Sequence, residues 1–263
     1  VLFAQNNGDS YPLPSRLDKD DGTIQLGPSE PAFIKDNTGN IYSIMVFSGA
    51  FPPELLRTPS EQNQDILIDD SYEYYQPQRA ANPAKALWDP GLSGCPGETG
   101  SAGGNVRRSP YGNTSYAHLT PFGARGSAWR STYSSLEAVI ANRGPIYGGA
   151  PGNWTLVPGP FGEFSNTLKI HGSSDKRWEG NVGYNDTHVA QENQPDPPAL
   201  HWAFTAMPAA TRNNRDNIFV NENDATGIVE TDSLPARNAN CLIKIYRNVQ
   251  DSGGEPLINV WQD

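Results

Sequence analysis

The chain has few of the side chains that carry metal, thiol or redox chemistry: two cysteines, two methionines and four histidines in 263 residues. No Cys-x-x-Cys pair and no Cys/His cluster with metal-ligand spacing occurs, which excludes a sequence-encoded structural zinc or c-type haem. Cys95 and Cys241 leave two readings, one disulfide formed in an oxidising compartment or two unrelated thiols. No stretch of about 18 apolar residues occurs, so no segment of this chain reads as a transmembrane helix. No basic segment followed by a short apolar one opens it as a secretory leader would. Basic residues are also in deficit. Nineteen Lys and Arg against 29 Asp and Glu give a formal charge of -10, which repels nucleic acid and anionic lipid.

Glycine and proline, by contrast, are abundant: 26 and 23 residues, about one fifth of the chain where roughly 12% is usual. Much of the backbone must therefore be turns and irregular loops, and long helices cannot dominate. Val1-Leu2-Phe3-Ala4-Gln5 reads as the last turn of an amphipathic helix, stopped at once by Asn6-Asn7-Gly8-Asp9. Asn37 or Thr38 can cap a helix carrying Ile41, Ile44 and Met45 at i, i+3 and i+4, with Gly49 to end it. A second helix is expected from Ser134, where Ser134-Ser135-Leu136-Glu137 has capping-box form and Leu136, Val139 and Ile140 follow as a stripe. The Gly-rich tract at 97–104, within 95–112, reads as a loop insertion. Beyond it the pattern predicts short strands at 168–171, 181–184, 187–191, 218–220, 241–247 and 257–261. Asn185-Asp186 would turn one hairpin and the 250–254 tract another. The expected fold is a single α+β domain over 1–263 with a mainly antiparallel sheet and long ordered loops.

Catalytic signatures are scarce. No Gly-x-Ser-x-Gly elbow, His-Glu-x-x-His helix, phosphate-binding loop or dinucleotide glycine pattern is present. His171-Gly172-Ser173-Ser174-Asp175 holds triad residue types, but triad members converge from different parts of a fold and not from neighbouring positions. Two loops crowd oxygen ligands as calcium sites do, Asp18-Lys19-Asp20-Asp21-Gly22 and Asn221-Glu222-Asn223-Asp224, the latter offering Asn221, Asn223 and Asp224. Neither has EF-hand register, and a solvated acidic turn is the plainer account of both. Trp88, Trp129, Trp154, Trp178 and Trp202 stand in loop-like contexts, where an exposed indole stacks on sugar rings and a buried one serves the core.

Three tracts resemble one family. Val1-Leu2-Phe3-Ala4-Gln5-Asn6-Asn7-Gly8-Asp9-Ser10-Tyr11-Pro12 is similar to the junction at which the long N-terminal helix ends in type IV pilin-like proteins and type II secretion pseudopilins. Ser165-Asn166-Thr167-Leu168 resembles the strand that often precedes the family's hairpin. Trp178 to Val189 resembles the hairpin itself, through Asn181, Val182, Tyr184, Asp186 and His188, with Thr187 where the family usually has glycine. The style is that of the large pilin-like proteins of planctomycetes. The resemblance implies that residues 1–8 are the end of a longer N-terminal helix through which alone the subunit would meet a membrane. It implies an outward-facing globular part, self-assembly into a helical filament with other pilin-like subunits, a location in the bacterial cell envelope or outside the cell, and no catalysis. A secreted polysaccharide-binding or surface-binding module is the alternative reading, and a secreted hydrolase the third.

Overall fold

The computed structural model describes residues 2–98, 110–171, 177–203, 213–222, 229–230, 233–235 and 241–263. Its helices are α1 (Leu2–Asn6), α2 (Pro14–Leu17) and α3 (Thr38–Phe47). Its strands are β1 (Tyr116–Leu119), β2 (Ala138–Asn142), β3 (Tyr147–Ala150), β4 (Asn153–Leu156), β5 (Gly180–Tyr184), β6 (Val189–Glu192) and β7 (His201–Ala203). β8 (Asn213–Arg215), β9 (Asn221–Glu222), β10 (Val229–Glu230), β11 (Ser233–Pro235), β12 (Ile243–Asp251) and β13 (Pro256–Trp261) complete the set. The fold is α+β with a mainly antiparallel sheet, as expected. The chain forms two compact units, the first from Leu2–Ser115 with Ile245–Asn259 and the second from Tyr116–Lys244 with Val260–Asp263.

The first unit is organised around α3. Asn37 caps it, its side chain accepting the Asn40 amide at 3.0 Å, and Gly49 follows the helix with φ +76°, the left-handed conformation glycine adopts freely. The sequence pattern showed one apolar stripe, yet eight of the ten helix residues are buried. Polar residues survive there because each finds a partner. Asn40 donates to the Lys35 carbonyl (2.7 Å) and accepts the Trp88 indole N–H (3.1 Å). Ser43 donates to the Asp89 carbonyl (2.6 Å), and the Thr38 hydroxyl accepts the Tyr246 amide (2.7 Å). Ile24, Ile44 and Trp88 form a core cluster against which Phe3, Leu17 and Phe47 pack. α1 is thereby seated by Phe3, and it ends as read from the sequence: the Asn7 and Asp9 amides return to the Ala4 carbonyl (2.9 and 2.8 Å), with Gly8 and Asp9 both at positive φ. The β12–β13 hairpin closes on Gly253 and Gly254, at φ +67° and +89°, the paired positive values of a tight turn. Of the expected insertion at 95–112, residues 99–109 lie outside the described residues; Cys95–Glu98 form a turn and Gly112 bridges Ile66.

In the second unit an antiparallel sheet runs in the order β12, β1, β2, β5, β6, beginning with the first residues of β12. The helix expected from Ser134 is corrected here: β2 occupies Ala138–Asn142 between β1 and β5, with Ile140 opposite both His118 and Gly183. Val139 and Ile140 are β-branched and suit a central strand. The capping-box residues are used otherwise. The Glu137 carboxylate accepts the Thr132 hydroxyl (2.6 Å) and the Asn185 amide (2.9 Å), and Ser134 accepts the Leu136 amide (3.2 Å). The strand expected at 168–171 is replaced by a 3-10 turn, Asn166–Lys169, capped by Ser165. The strand expected at 218–220 is also a turn, whose Ile218, Phe219 and Val220 are buried. An apolar run reports burial, and periodicity over three residues cannot separate strand from turn. Phe219 centres an aromatic group, edge-on to Trp178 at 4.7 Å and parallel to Tyr147 at 6.5 Å.

Candidate functional site

The family-like hairpin forms as expected. β5 and β6 pair Asn181 with Gln191 and Val182 with Ala190. Alternation along β5 buries Val182 and Tyr184 and leaves Asn181 exposed, its amide held by the Asn142 side chain at 2.9 Å. The turn differs from the expectation in one respect. Positive φ falls not on Asn185 and Asp186 but on Thr187, at +77°, which for a β-branched side chain is a strained conformation. Asn185 is buried instead. Its side-chain amide donates to Glu137 (2.9 Å) and to the Ala128 carbonyl (3.2 Å), and its backbone amide donates to the Glu137 carbonyl (2.9 Å), fixing the turn to the neighbouring strand.

At the tip, three sequence-predicted residues meet. The His188 imidazole stacks on the Tyr184 ring at 4.3 Å with planes 4° apart, and its Nδ1 lies 2.5 Å from Asp186 Oδ1. That hydrogen bond holds the Asp186 carboxyl below the usual carboxylate range. Tyr184 donates its hydroxyl to Glu192 at 2.9 Å; burial, then the Glu192 carboxylate, push the phenol upward. The arrangement is a self-satisfied cluster of polar groups on a half-exposed rim.

The remaining predicted residues fall elsewhere. Cys95 and Cys241 are both buried. Cys95 belongs to the first unit and Cys241 to the second, where burial pushes the Cys241 thiol above its ordinary range. Of the calcium candidates, Asn221 is buried in β9 opposite Glu230, while Asn223 and Asp224 lie outside the described residues. Among the described residues no group of three or more His, Cys, Asp or Glu is placed to hold a metal ion. In the other acidic loop a lysine stands where a cation would. Lys35 Nζ is 2.9 Å from Asp18 Oδ2 and 2.6 Å from Asp21 Oδ1, and donates as well to the Asp18 carbonyl. His171 bonds Asn142 (2.9 Å), and the rest of its triad-like tract, 172–175, lies outside the described residues. Trp88, Trp129 and Trp178 are buried, which removes them as sugar platforms; the Trp202 side chain is likewise outside the described residues.

Sequence reasoning missed a groove of about 1100 Å³ in the second unit, walled by β4, the loop before the 3-10 turn and the segment after β6. Trp154 and Phe164 line it together with Tyr147, and Asn153, Glu163, Lys169, Arg177, Asn193, Gln194 and Asp196 supply polar groups. Its members come from four separated tracts, so the sequence, which singles out Trp154, Ser165 and Leu168 each for a different reason, gives no sign that they share one groove. Compared with protein-family models, with curated proteins and with solved structures, the chain matches none.

Proposed function

We propose that the chain is the globular part of a type IV pilin-like or pseudopilin-like filament subunit, turned outward from the filament and located in the cell envelope or outside the cell. The observation that carries this reading is the β5–β6 hairpin. A tract identified by resemblance folds as the antiparallel hairpin that resemblance implies, with Val182 inward, Asn181 outward and Asp186 and His188 joined at the tip. The α1 segment agrees with it, since an apolar helical turn ends at Asn7-Gly8-Asp9 and is followed by an ordered loop. In such a subunit the N-terminal helix supplies assembly and the globular part supplies a polar, loop-rich outer surface. The net charge of -10 and the abundance of glycine and proline suit that surface.

The test is to express the complete coding sequence in a host with a prepilin peptidase and examine sheared surface material by negative-stain microscopy. Helical polymers that react with antibody to this chain are expected. A coding sequence without a basic leader and an apolar helix ahead of Leu2, together with no polymers, would overturn the reading.

A further inference from the structure

We infer that the groove in the second unit is a binding site for an uncharged oligosaccharide, a property independent of filament assembly. Sugar recognition needs two things in one concave place: an aromatic face for the C–H side of a pyranose ring and planar polar groups for its hydroxyls. Both are present. Phe164 is 73% exposed although it lines a concavity. Its position is fixed by the backbone, because the Phe164 amide donates to the Gly159 carbonyl (3.1 Å) and the Glu163 amide to the Val157 carbonyl (3.0 Å). Gly162 makes that tight fold possible, since a Cβ there would lie 2.0 Å from the Val157 carbonyl oxygen. An exposed phenyl ring on a pinned loop loses little freedom when a ligand stacks on it.

Trp154 is the second platform. Its cross-strand neighbour is Gly149, which has no side chain to cover the indole. The indole N–H is itself buried and has no hydrogen-bond partner in the protein, so what Trp154 offers the groove is the exposed part of its half-buried ring. Asn193 and Gln194 place two amides along the same groove, each able to donate and accept toward adjacent hydroxyls. The charged lining balances: Glu163 and Asp196 are offset by Lys169 and Arg177. A site for a polyanionic or polycationic glycan would show an excess of one sign, so the groove selects a neutral chain.

The experiment is isothermal titration of this protein with cellohexaose, mannohexaose, laminarihexaose and chitohexaose, with heparin and polygalacturonate as charged probes. Saturable binding of at least one neutral probe is expected. Phe164→Ala is expected to weaken it roughly tenfold, the loss of one stacking platform. Because Phe164 is exposed, that variant tests the site without testing the fold. Trp154→Phe is expected to weaken binding less, and Tyr75→Ala, an exposed ring in the first unit, to leave it unchanged. No binding of any neutral probe, binding of the charged probes alone, or neutral binding indifferent to Phe164→Ala would each overturn the inference. None of these outcomes bears on whether the full protein polymerises.

Discussion

Replacing Lys35 with methionine should destabilise the first unit by about 3 kcal/mol at neutral pH. Lys35 is 1% exposed and its ammonium is shared by two carboxylates and a carbonyl. Methionine keeps most of the stem and its packing but removes the charge. Asp18 is then a buried carboxylate without a cation, a situation that costs roughly 3–5 kcal/mol. The lower end applies because the Thr23 and Ile24 amides still donate to Asp18, at 3.0 and 2.9 Å. Asp21, more than a third exposed, adds little. A loss of that size corresponds to about 6–12 °C in melting temperature for a chain of this length. Trp88 provides the probe: it is the one tryptophan in the first unit, and Asn40 bonds both its indole and the Lys35 carbonyl. Urea unfolding followed by the fluorine signal of 5-fluorotryptophan at position 88 isolates this unit. The double variant Asp18→Asn with Lys35→Met should recover part of the loss, since a neutral pair leaves no buried charge. A single-variant loss below about 1 kcal/mol, or a double variant no better than the single, would refute the reasoning.

Thr187→Gly should stabilise the second unit by about 1 kcal/mol, because glycine relieves a β-branched residue held at φ +77°; a melting temperature unchanged or lowered would count against it. His118, buried in β1, has its pKa lowered to about 4 by desolvation. The unfolded chain therefore binds a proton near pH 6.5 that the folded chain refuses until about 4, so stability falls as pH drops through that window, by roughly 3 kcal/mol in all. Asp36 works in the opposite sense. Burial raises it to about 7, so the folded state takes up its proton first and that group loses stability as pH rises from the ordinary carboxylate value toward 7. Carbon-detected NMR separates the two: the His118 ring should remain neutral at pH 5, and a ring that titrates near 6.5 would contradict the burial argument.

The parts of the fold that were readable from sequence are those in which a local signal and a tertiary requirement coincide. Asn37 and Gly49 bracket α3 because cap chemistry acts within a few residues. The β12–β13 hairpin was legible because two consecutive glycines admit the two positive φ values it needs. Ser134 to Glu137 failed for the opposite reason. The residues satisfy a capping box on paper, but Glu137 is engaged by Thr132 and Asn185, the latter 48 residues away, and Ile140 and Ala141 gain pairing on both sides within the sheet. Long-range partners outweigh a helix propensity worth only tenths of a kcal/mol per residue. The same holds for Asp18–Gly22, where oxygen density alone resembles a calcium loop; only the fold shows Lys35 arriving from 17 residues on to neutralise it.

The two functional features differ in legibility for a related reason. The hairpin is local: Asn181 to His188 are consecutive, so a resemblance over a dozen residues carries its whole geometry. The turn falls on Asn185 and Asp186 as read, the Thr187 amide returning to the Tyr184 carbonyl (3.0 Å), but the positive φ assigned to them by residue preference lies on Thr187, while the buried Asn185 side chain serves as an anchor. A glycine at 187 would have made that φ readable, and its absence makes strain the distinguishing property of this hairpin. The groove is non-local, assembled from tracts at 147–156, 163–169, 177 and 193–196. What marks it physically is an aromatic ring left in water on a rigid loop, beside a half-buried indole. Composition cannot report either condition, since each is defined by what surrounds the side chain and not by its identity.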